Sequence, residues 1–397
     1  MLPKESYDDL ITANQAVAIA AVRAKPKVIA VYPISPQTPI VGFLAQYCAS
    51  GDLDAEYVRV ESEHSAMTVV AAAEGTGVRT FTSTASQGLA YMHEVVAATG
   101  GMRLPVVMFV ANRTLMSPGG IWPEYSDVMP ERDTCWLQVF VEDNQEVFDM
   151  IIQAYKIAEN QKVLLPIMVC GDGFILTHTA DRVGILSQKD VDDFLPPYEP
   201  KHAFLDVDKP LAQGIIVPPE YHMEAKYQLH QAMRNAKEVI KEVNDEFAAK
   251  FDRDYGGMID SYRIEDADYV LVVVGSTVST TRIVVDTLRE KGEKVGLVKL
   301  RFFRPFPAEE IKEILVNVKA IGVFDRSLSY GSTGQIFGEV RNALYGETIP
   351  ILNFIAGLGG RDIREKDIMT MFRKINEMNN KQPEDPVVFI NTRGILE

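Results

Sequence analysis

Apolar and polar positions along the first 180 or so residues switch between two periods. Short runs dense in branched residues, "KVIAVY", "AEYVRVE", "RTFTST" and "LPVVMFVAN", read as strands. Between them lie "ANQAVAIAAVRA", "TPIVGFLAQYCAS", "EHSAMTVVAAAEGTG" and "GLAYMHEVVAATGGM", whose spacing or alanine content predicts helices. Continuous apolar runs are expected of strands covered on both faces, so the alternation predicts a parallel sheet between two helical layers. "LQVFVED", "NQEVFDMIIQAYKIAENQ" and "LLPIMVCGDGF" continue the pattern. Ligands of such folds gather at the carboxyl ends of the strands, which directs attention to the loops after Tyr32, Val60, Thr84 and Asn112.

From about 185 to 220 the pattern breaks into "FLPPYEP", "HAFLDVDKP" and "IIVPPEY", an extended excursion over the surface or against a partner. A long polar helix is expected over roughly 220–251, with so narrow an apolar stripe that a bridging role between domains suits it. A second doubly wound α/β unit opens at "DADYVLVVVGS". It continues through a helix "TTRIVVDTLREKG", a strand "KVGLVKL", a proline-rich turn "RFFRPFP", a helix "AEEIKEILVN", a strand "AIGVFD" and a helix "GQIFGEVRNALYG". The tail "DPVVFINTRGILE" reads as a strand or as an arm on a neighbouring subunit. The expected division is 1–250 and 251–397, consistent with a length of 397 residues.

Composition narrows the function. A formal charge of −15 and the lack of a basic stripe argue against nucleic-acid or anionic-membrane partners. Apolar runs fall short of the ~20 residues that span a bilayer, and "MLPKESYDDLI" lacks the design of a signal peptide, so a cytoplasmic protein is expected. Cys48, Cys135 and Cys170 are too widely spaced for a metal site or a disulfide framework and are expected as buried apolar residues. Any iron–sulfur ligands would then lie on another chain.

Three glycine-rich motifs are discounted. "GDGF" (171–174) lacks the asparagine that completes a magnesium–diphosphate motif and reads as a tight turn. "GSTVSTT" follows a strand but lacks G-x-G-x-x-G, and "GLGGRD" lacks a following lysine and hydroxyl residue. More specific is "VRVESEHSAM", in which Glu61 and Glu63 stand between a strand and an apolar helix. One carboxylate can cap the helix while the other faces the cleft. Arg113 ends a strand, where a guanidinium can hold a carboxylate bidentately or pair with an acidic side chain.

"YPISPQTP", "VESEHSAM", "FTSTASQGLAYMHE", "LPVVMFVANR" and "SDVMPERDTCWLQVFVEDNQEVFDMIIQAYKIAE" resemble, in order and spacing, the alpha subunit of the multi-subunit 2-oxoacid:ferredoxin oxidoreductases, the pyruvate synthase group. The resemblance extends through "VLVVVGSTVSTTRIVVDTLREKGEKVGLVKLRFFRPFP" and "GLGGRDI" to cover nearly the whole chain. It implies a pyrimidine-type thiamine-diphosphate-binding domain followed by a transketolase C-terminal-like α/β domain. It also implies a beta subunit carrying the diphosphate, its Mg²⁺ and a [4Fe-4S] cluster, together with gamma and ferredoxin-like delta subunits. The reaction implied is oxidative decarboxylation of a 2-oxoacid to acyl-CoA, with electrons passing to ferredoxin.

By the same resemblance, Glu63 matches the thiamine-activating glutamate, with Glu61 as the alternate. Arg113 matches the substrate arginine, Ser35 a position usually held by threonine, and Ser86 and Gln87 fall in the cofactor-binding motif. The prolines around Ser35 would fix the direction of its hydroxyl. "SPGGIWPEYSDVM" departs from the pyruvate-type pattern, so Gly119, Gly120 and Tyr125 could reshape the acyl pocket for a branched or aromatic 2-oxoacid, with NAD as a possible final acceptor. Two further readings remain at this stage, a non-catalytic scaffold and a nucleotide-binding protein built on the second unit.

Overall fold

The computed structural model describes residues 2–201, 204–379 and 381–394. Positions 202–203 of the proline-rich excursion and 395–397 of the tail lie outside the described residues.

The first unit is a seven-stranded sheet in the order Phe302–Arg304, Leu137–Phe140, Ile167–Asp172, Val107–Asn112, Thr80–Thr84, Val28–Val31, Glu56–Arg59. All neighbours are parallel except the edge pair formed by Phe302–Arg304 with Leu137–Phe140. Side chains alternate across it: Val107, Phe109 and Ala111 enter one apolar cluster, Met108 and Val110 the other. Burial on both faces explains why these strands lack a polar alternation in sequence. Helices Ala13–Ala24 and Asn144–Ala158 cover the first face, and Glu63–Gly75 and His93–Gly101 the second.

The second unit is a six-stranded sheet in the order Val387–Phe389, Ile351–Ile355, Ala320–Asp325, Tyr269–Val273, Val295–Leu300, Ile259–Tyr262, the last antiparallel. The second apolar cluster runs without a break from Met67, Met108 and Met168 of the first sheet to Val272, Val298 and Ile321 of the second. A buried ionic knot joins them as well. Lys299 Nζ lies 2.9 Å from Glu142 and 2.8 Å from Glu146, and Arg301 Nε lies 2.8 Å from Glu146. Burial would raise Glu146, but the two cations outweigh it and hold its carboxyl at about 2.

Three elements depart from the expectations, and a fourth, the tail, takes one of its two expected forms. "RFFRPFP" holds an edge strand of the first sheet rather than only a turn. "GLAYMHEVVAATGGM" is divided into helices Ser86–Tyr91 and His93–Gly101, because the fully buried Met92 takes φ −92°, ψ 2°. A ribbon of Tyr7–Thr12 with Ala180–Ile185 forms across some 170 residues of chain. The tail supplies the strand Val387–Phe389.

The long helix is Pro219–Phe251. Its buried residues, Ala232, Ala236, Val239, Ile240, Val243, Asn244 and Phe247, follow helical spacing from Ala232 onward only. It packs on the first unit and reaches the second through the ion pair of Lys237 with Glu309. Among the described residues, no helix is long and apolar enough to cross a membrane.

Candidate active site

Because Val28–Val31, Thr80–Thr84, Val107–Asn112 and Ile167–Asp172 run parallel, their carboxyl ends open on one cleft. The first tip is the proline corner. Prolines alone do not fix it: the fully buried Gln37 donates from Nε2 to Ser83 O (3.0 Å) and Ser83 Oγ (2.6 Å), and Asn14 Nδ2 donates to Pro36 O at 3.0 Å. Ser35 is thereby presented, exposed, at the cleft.

Arg113 follows the strand Val107–Asn112. Its Nη1 donates to Ser35 O (2.6 Å) and its Nη2 to Gln87 Oε1 (2.7 Å), so one guanidinium ties the first strand tip to the loop after Thr84. Its Nε is buried and has no partner within the protein. Burial pushes the guanidinium below its ordinary pKa, against the opposing charge of Asp127. A planar cation with spare donors, held by a carbonyl and an amide rather than by a carboxylate, is suited to an incoming anion.

Ser86 takes φ +46°, in the left-handed region that disfavours side chains. Asp127 holds it there. Its carboxylate accepts from Ser86 N–H (3.0 Å), Arg113 N–H (2.9 Å) and Asn112 Nδ2 (3.0 Å). Burial raises Asp127 to about 7, the three donors opposing that rise. Ser86 Oγ lies 2.5 Å from Thr114 O and 2.6 Å from Gln87 Oε1. Nothing in the local pattern of "YSDVM" distinguishes Asp127, and sequence reading missed it.

Glu63 opens the helix Glu63–Gly75, capped by Ser62 Oγ, which accepts from Ser65 N–H. Gly88 faces it. A Cβ on Gly88 would lie 2.8 Å from Glu63 Cγ and Oε1 and 2.5 Å from Thr84 Oγ1, itself buried and without a hydrogen-bond partner. Glu61, by contrast, is exposed and accepts from Ser65 Oγ, which lowers its pKa. The two carboxylates are thus separated: one beside Gly88 and Thr84, one turned to solvent.

Loop 114–126, which follows Arg113, folds back on itself through Thr114 N–H to Trp122 O (3.1 Å) and Leu115 N–H to Ser126 Oγ (3.1 Å). Gly119 has open space around it, whereas a Cβ on Gly120 would lie 2.9 Å from Thr114 Cγ2. Tyr125, expected at the acyl pocket, is instead fully buried with its ring against Phe140, because its backbone N–H is drawn to Arg326 O of the second unit (3.0 Å). "GLGGRD" clamps the same loop: Gly359 N–H donates to Glu124 Oε2 at 2.7 Å. "GDGF" and "GSTVSTT" meet each other, Asp172 accepting from Ser276 at the start of the helix Thr277–Glu290.

Residues 19–245 match the family profile described as pyruvate flavodoxin/ferredoxin oxidoreductase, thiamine diP-bdg, and residues 267–368 the pyruvate:ferredoxin oxidoreductase core domain II. The chain is 50% identical over 370 residues to pyruvate synthase subunit PorA of Methanocaldococcus jannaschii, covering 93% of this chain and 95% of that one. It is 46% identical over 361 residues to ketoisovalerate oxidoreductase subunit VorA of Pyrococcus furiosus, covering 90% and 91%. In fold it matches a chain of the 2-oxoglutarate:ferredoxin oxidoreductase of Magnetococcus marinus with a TM-score of 0.72 at 18% identity, spanning 94% of this chain and 65% of that one. The chain therefore belongs to the pyruvate:ferredoxin oxidoreductase family, as the alpha chain of a thiamine-diphosphate-dependent 2-oxoacid oxidoreductase.

Proposed function

We propose that this chain works in the cytoplasm with beta, gamma and ferredoxin-like delta subunits to decarboxylate pyruvate oxidatively to acetyl-CoA and CO₂, with ferredoxin as electron acceptor. Residues 1–250 form the thiamine-binding unit in this reading, and 251–397 the transketolase C-terminal-like unit. The observation that carries it is Arg113, a half-buried guanidinium whose two outer nitrogens are each fixed by one N–H, on Ser35 O and Gln87 Oε1, so that each keeps a second N–H for an anion. A 2-oxoacid carboxylate placed there lies in the same cleft as Glu63.

The residues fit the pyrimidine end of the cofactor. The Glu63 carboxyl and the Thr84 hydroxyl close on Gly88 so tightly that no Cβ fits between them, and Thr84 Oγ1 is left buried without a hydrogen-bond partner within the protein. Bound thiamine diphosphate supplies the carbon nucleophile and accepts the electrons released as CO₂ departs. Glu63 holds a proton at the pyrimidine N1′, which is general acid–base help positioned by the helix start. Arg113 orients the carboxylate, the Ser35 hydroxyl lies beside it, and Gln87 and Ser86 keep the guanidinium and the loop in place. The diphosphate, Mg²⁺ and [4Fe-4S] clusters are assigned to partner chains. In support, Asp172 of "GDGF" is already taken by Arg326 and Ser276.

The test compares pyruvate, 2-oxoisovalerate, phenylglyoxylate and 2-oxoglutarate as CoA-dependent reductants of a viologen dye by the assembled complex. Pyruvate is expected to lead. A lead for 2-oxoisovalerate would favour the second reading, a branched-chain enzyme, which the open space at Gly119 and the likeness to a ketoisovalerate oxidoreductase subunit support. A preference for 2-oxoglutarate would contradict both.

A further inference from the structure

The long helix Pro219–Phe251 enters the core only from Ala232 onward, and residues 219–231 contribute no buried side chain. Helical turns in proteins owe most of their stability to packing an apolar face, so these bare turns point to a surface that one copy of this chain does not supply. Tyr221, Met223 and Tyr227 are 68%, 80% and 62% exposed, and Ile215 and Ile216, just before the helix, 63% and 96%. Large apolar side chains gathered at the surface in this way mark a docking face.

The charges say what docks there. Three and seven residues are close to one and two helical turns, so Glu220, Glu224, His230 and Arg234 share the face of Tyr227. Ala236, about two and a half turns beyond Tyr227, is buried, so that face points away from the core. Glu220 and Glu224 stand i,i+4 with like sign, and at the same spacing His230 offers Arg234 no counter-charge. Like-charge pairs at that spacing destabilise a helix standing alone. None of the four has an ion-pair partner among the described residues; the ion pairs of this helix are made further on, by Lys237, Glu238 and Glu246. The helix dipole favours acids near the start but not cations midway along 33 residues. The acids precede Tyr227 by seven and three residues, and the cationic groups follow it by three and seven. Turned by half a rotation about Tyr227, the face presents its acids to its own cations.

We propose that a second copy of this chain covers this face: the two helices pair antiparallel about a two-fold axis at Tyr227, Glu220 of each copy meeting Arg234 of the other and Glu224 meeting His230. Tyr227 packs on its own symmetry mate at the axis, and Met223 packs on the stem of Gln231 from the other copy.

Cysteine crosslinking in the assembled complex tests it, with the parent chain, which carries Cys48, Cys135 and Cys170, as background. Tyr227 is exposed, so Tyr227→Cys leaves the core untouched, and its two copies on the axis come within reach of a disulfide. Mild oxidation should link two copies of this chain. Glu238→Cys lies on the same face about three turns further on, so in an antiparallel pair its two copies stand ~30 Å apart and should not link. Glu220→Arg or Arg234→Glu alone turns two symmetric attractions into repulsions and should slow the Tyr227→Cys link by about threefold or more. The double exchange, Glu220→Arg with Arg234→Glu, should restore it to within about twofold. No link through Tyr227→Cys, equal linking through Glu238→Cys, or a double exchange no better than the single ones would overturn the assignment.

Discussion

Asp172, at the tip of a first-unit strand, caps the first helix of the second unit: Ser276 N–H donates to its Oδ2 at 2.9 Å, and Ser276 Oγ donates to the same oxygen. Its other oxygen lies 3.0 Å from Nη1 of the buried Arg326. Two glycine-bearing motifs that each suggested phosphate chemistry thus bind one another across the junction, while Arg326, outside both, balances the carboxylate. Asp172→Ala would leave Arg326 uncompensated in the interior, so a loss of ~3–5 kcal/mol is expected in denaturant unfolding. A loss below about 1 kcal/mol, the range of an exposed pair, would show that the junction does not depend on this contact.

Arg113→Lys should raise KM for the 2-oxoacid by tenfold or more and change kcat less. An ammonium cannot reproduce the fork that grips Ser35 O and Gln87 Oε1 while offering further N–H groups to a carboxylate. Steady-state kinetics of the assembled complex read this directly. An unchanged KM would place the carboxylate elsewhere.

Gly88→Ala inserts a methyl group 2.8 Å from the Glu63 carboxylate. The Thr84 hydroxyl, nearer still at 2.5 Å, and the flexible Glu63 side chain must both yield, and neither is backbone, so the fold should survive while the carboxylate moves. Turnover is expected to fall at least tenfold, with the thermal midpoint shifting by only a few degrees. If turnover is unaffected, Glu63 does not act from the position seen here.

Asp127 makes stability depend on pH with a definite sign. Its carboxyl titrates near 7 when folded against an ordinary value of 3.8. Between those values the folded state holds a proton that the unfolded chain has lost. Stability is therefore full below about pH 4, declines as pH rises to about 7, and is flat beyond, a span on the order of 4 kcal/mol. Asp127→Asn should remove that slope from a difference plot of unfolding free energy against pH. It should also raise KM, because an amide presents a donor toward N–H groups of Ser86 or Arg113.

Much of the sheet was legible because strands buried on both faces, such as Val107–Asn112, are uninterrupted apolar runs. The ribbon of Tyr7–Thr12 with Ala180–Ile185 was not, since its pairing is distant in sequence and largely exposed. Phe302–Arg304 hid among turn residues because an edge strand of three residues has no measurable period. At the site, Ser35, Arg113 and Gln87 emerged from motifs and do meet. Asp127 and Gln37 did not emerge, because their importance lies in which distant N–H and carbonyl groups they reach. Tyr125 was misplaced for a related reason: the packing of the second unit, not the local loop, turns it inward.

The central claim, that Glu63 is the carboxylate serving the thiamine pyrimidine, is tested most directly by turnover of the assembled complex carrying Glu63→Gln beside one carrying Glu61→Gln. General acid–base help is worth ~10²-fold or more, so Glu63→Gln should lose at least that much while Glu61→Gln stays near wild type. Turnover of Glu63→Gln within about twofold of wild type, or a collapse confined to Glu61→Gln, would contradict it.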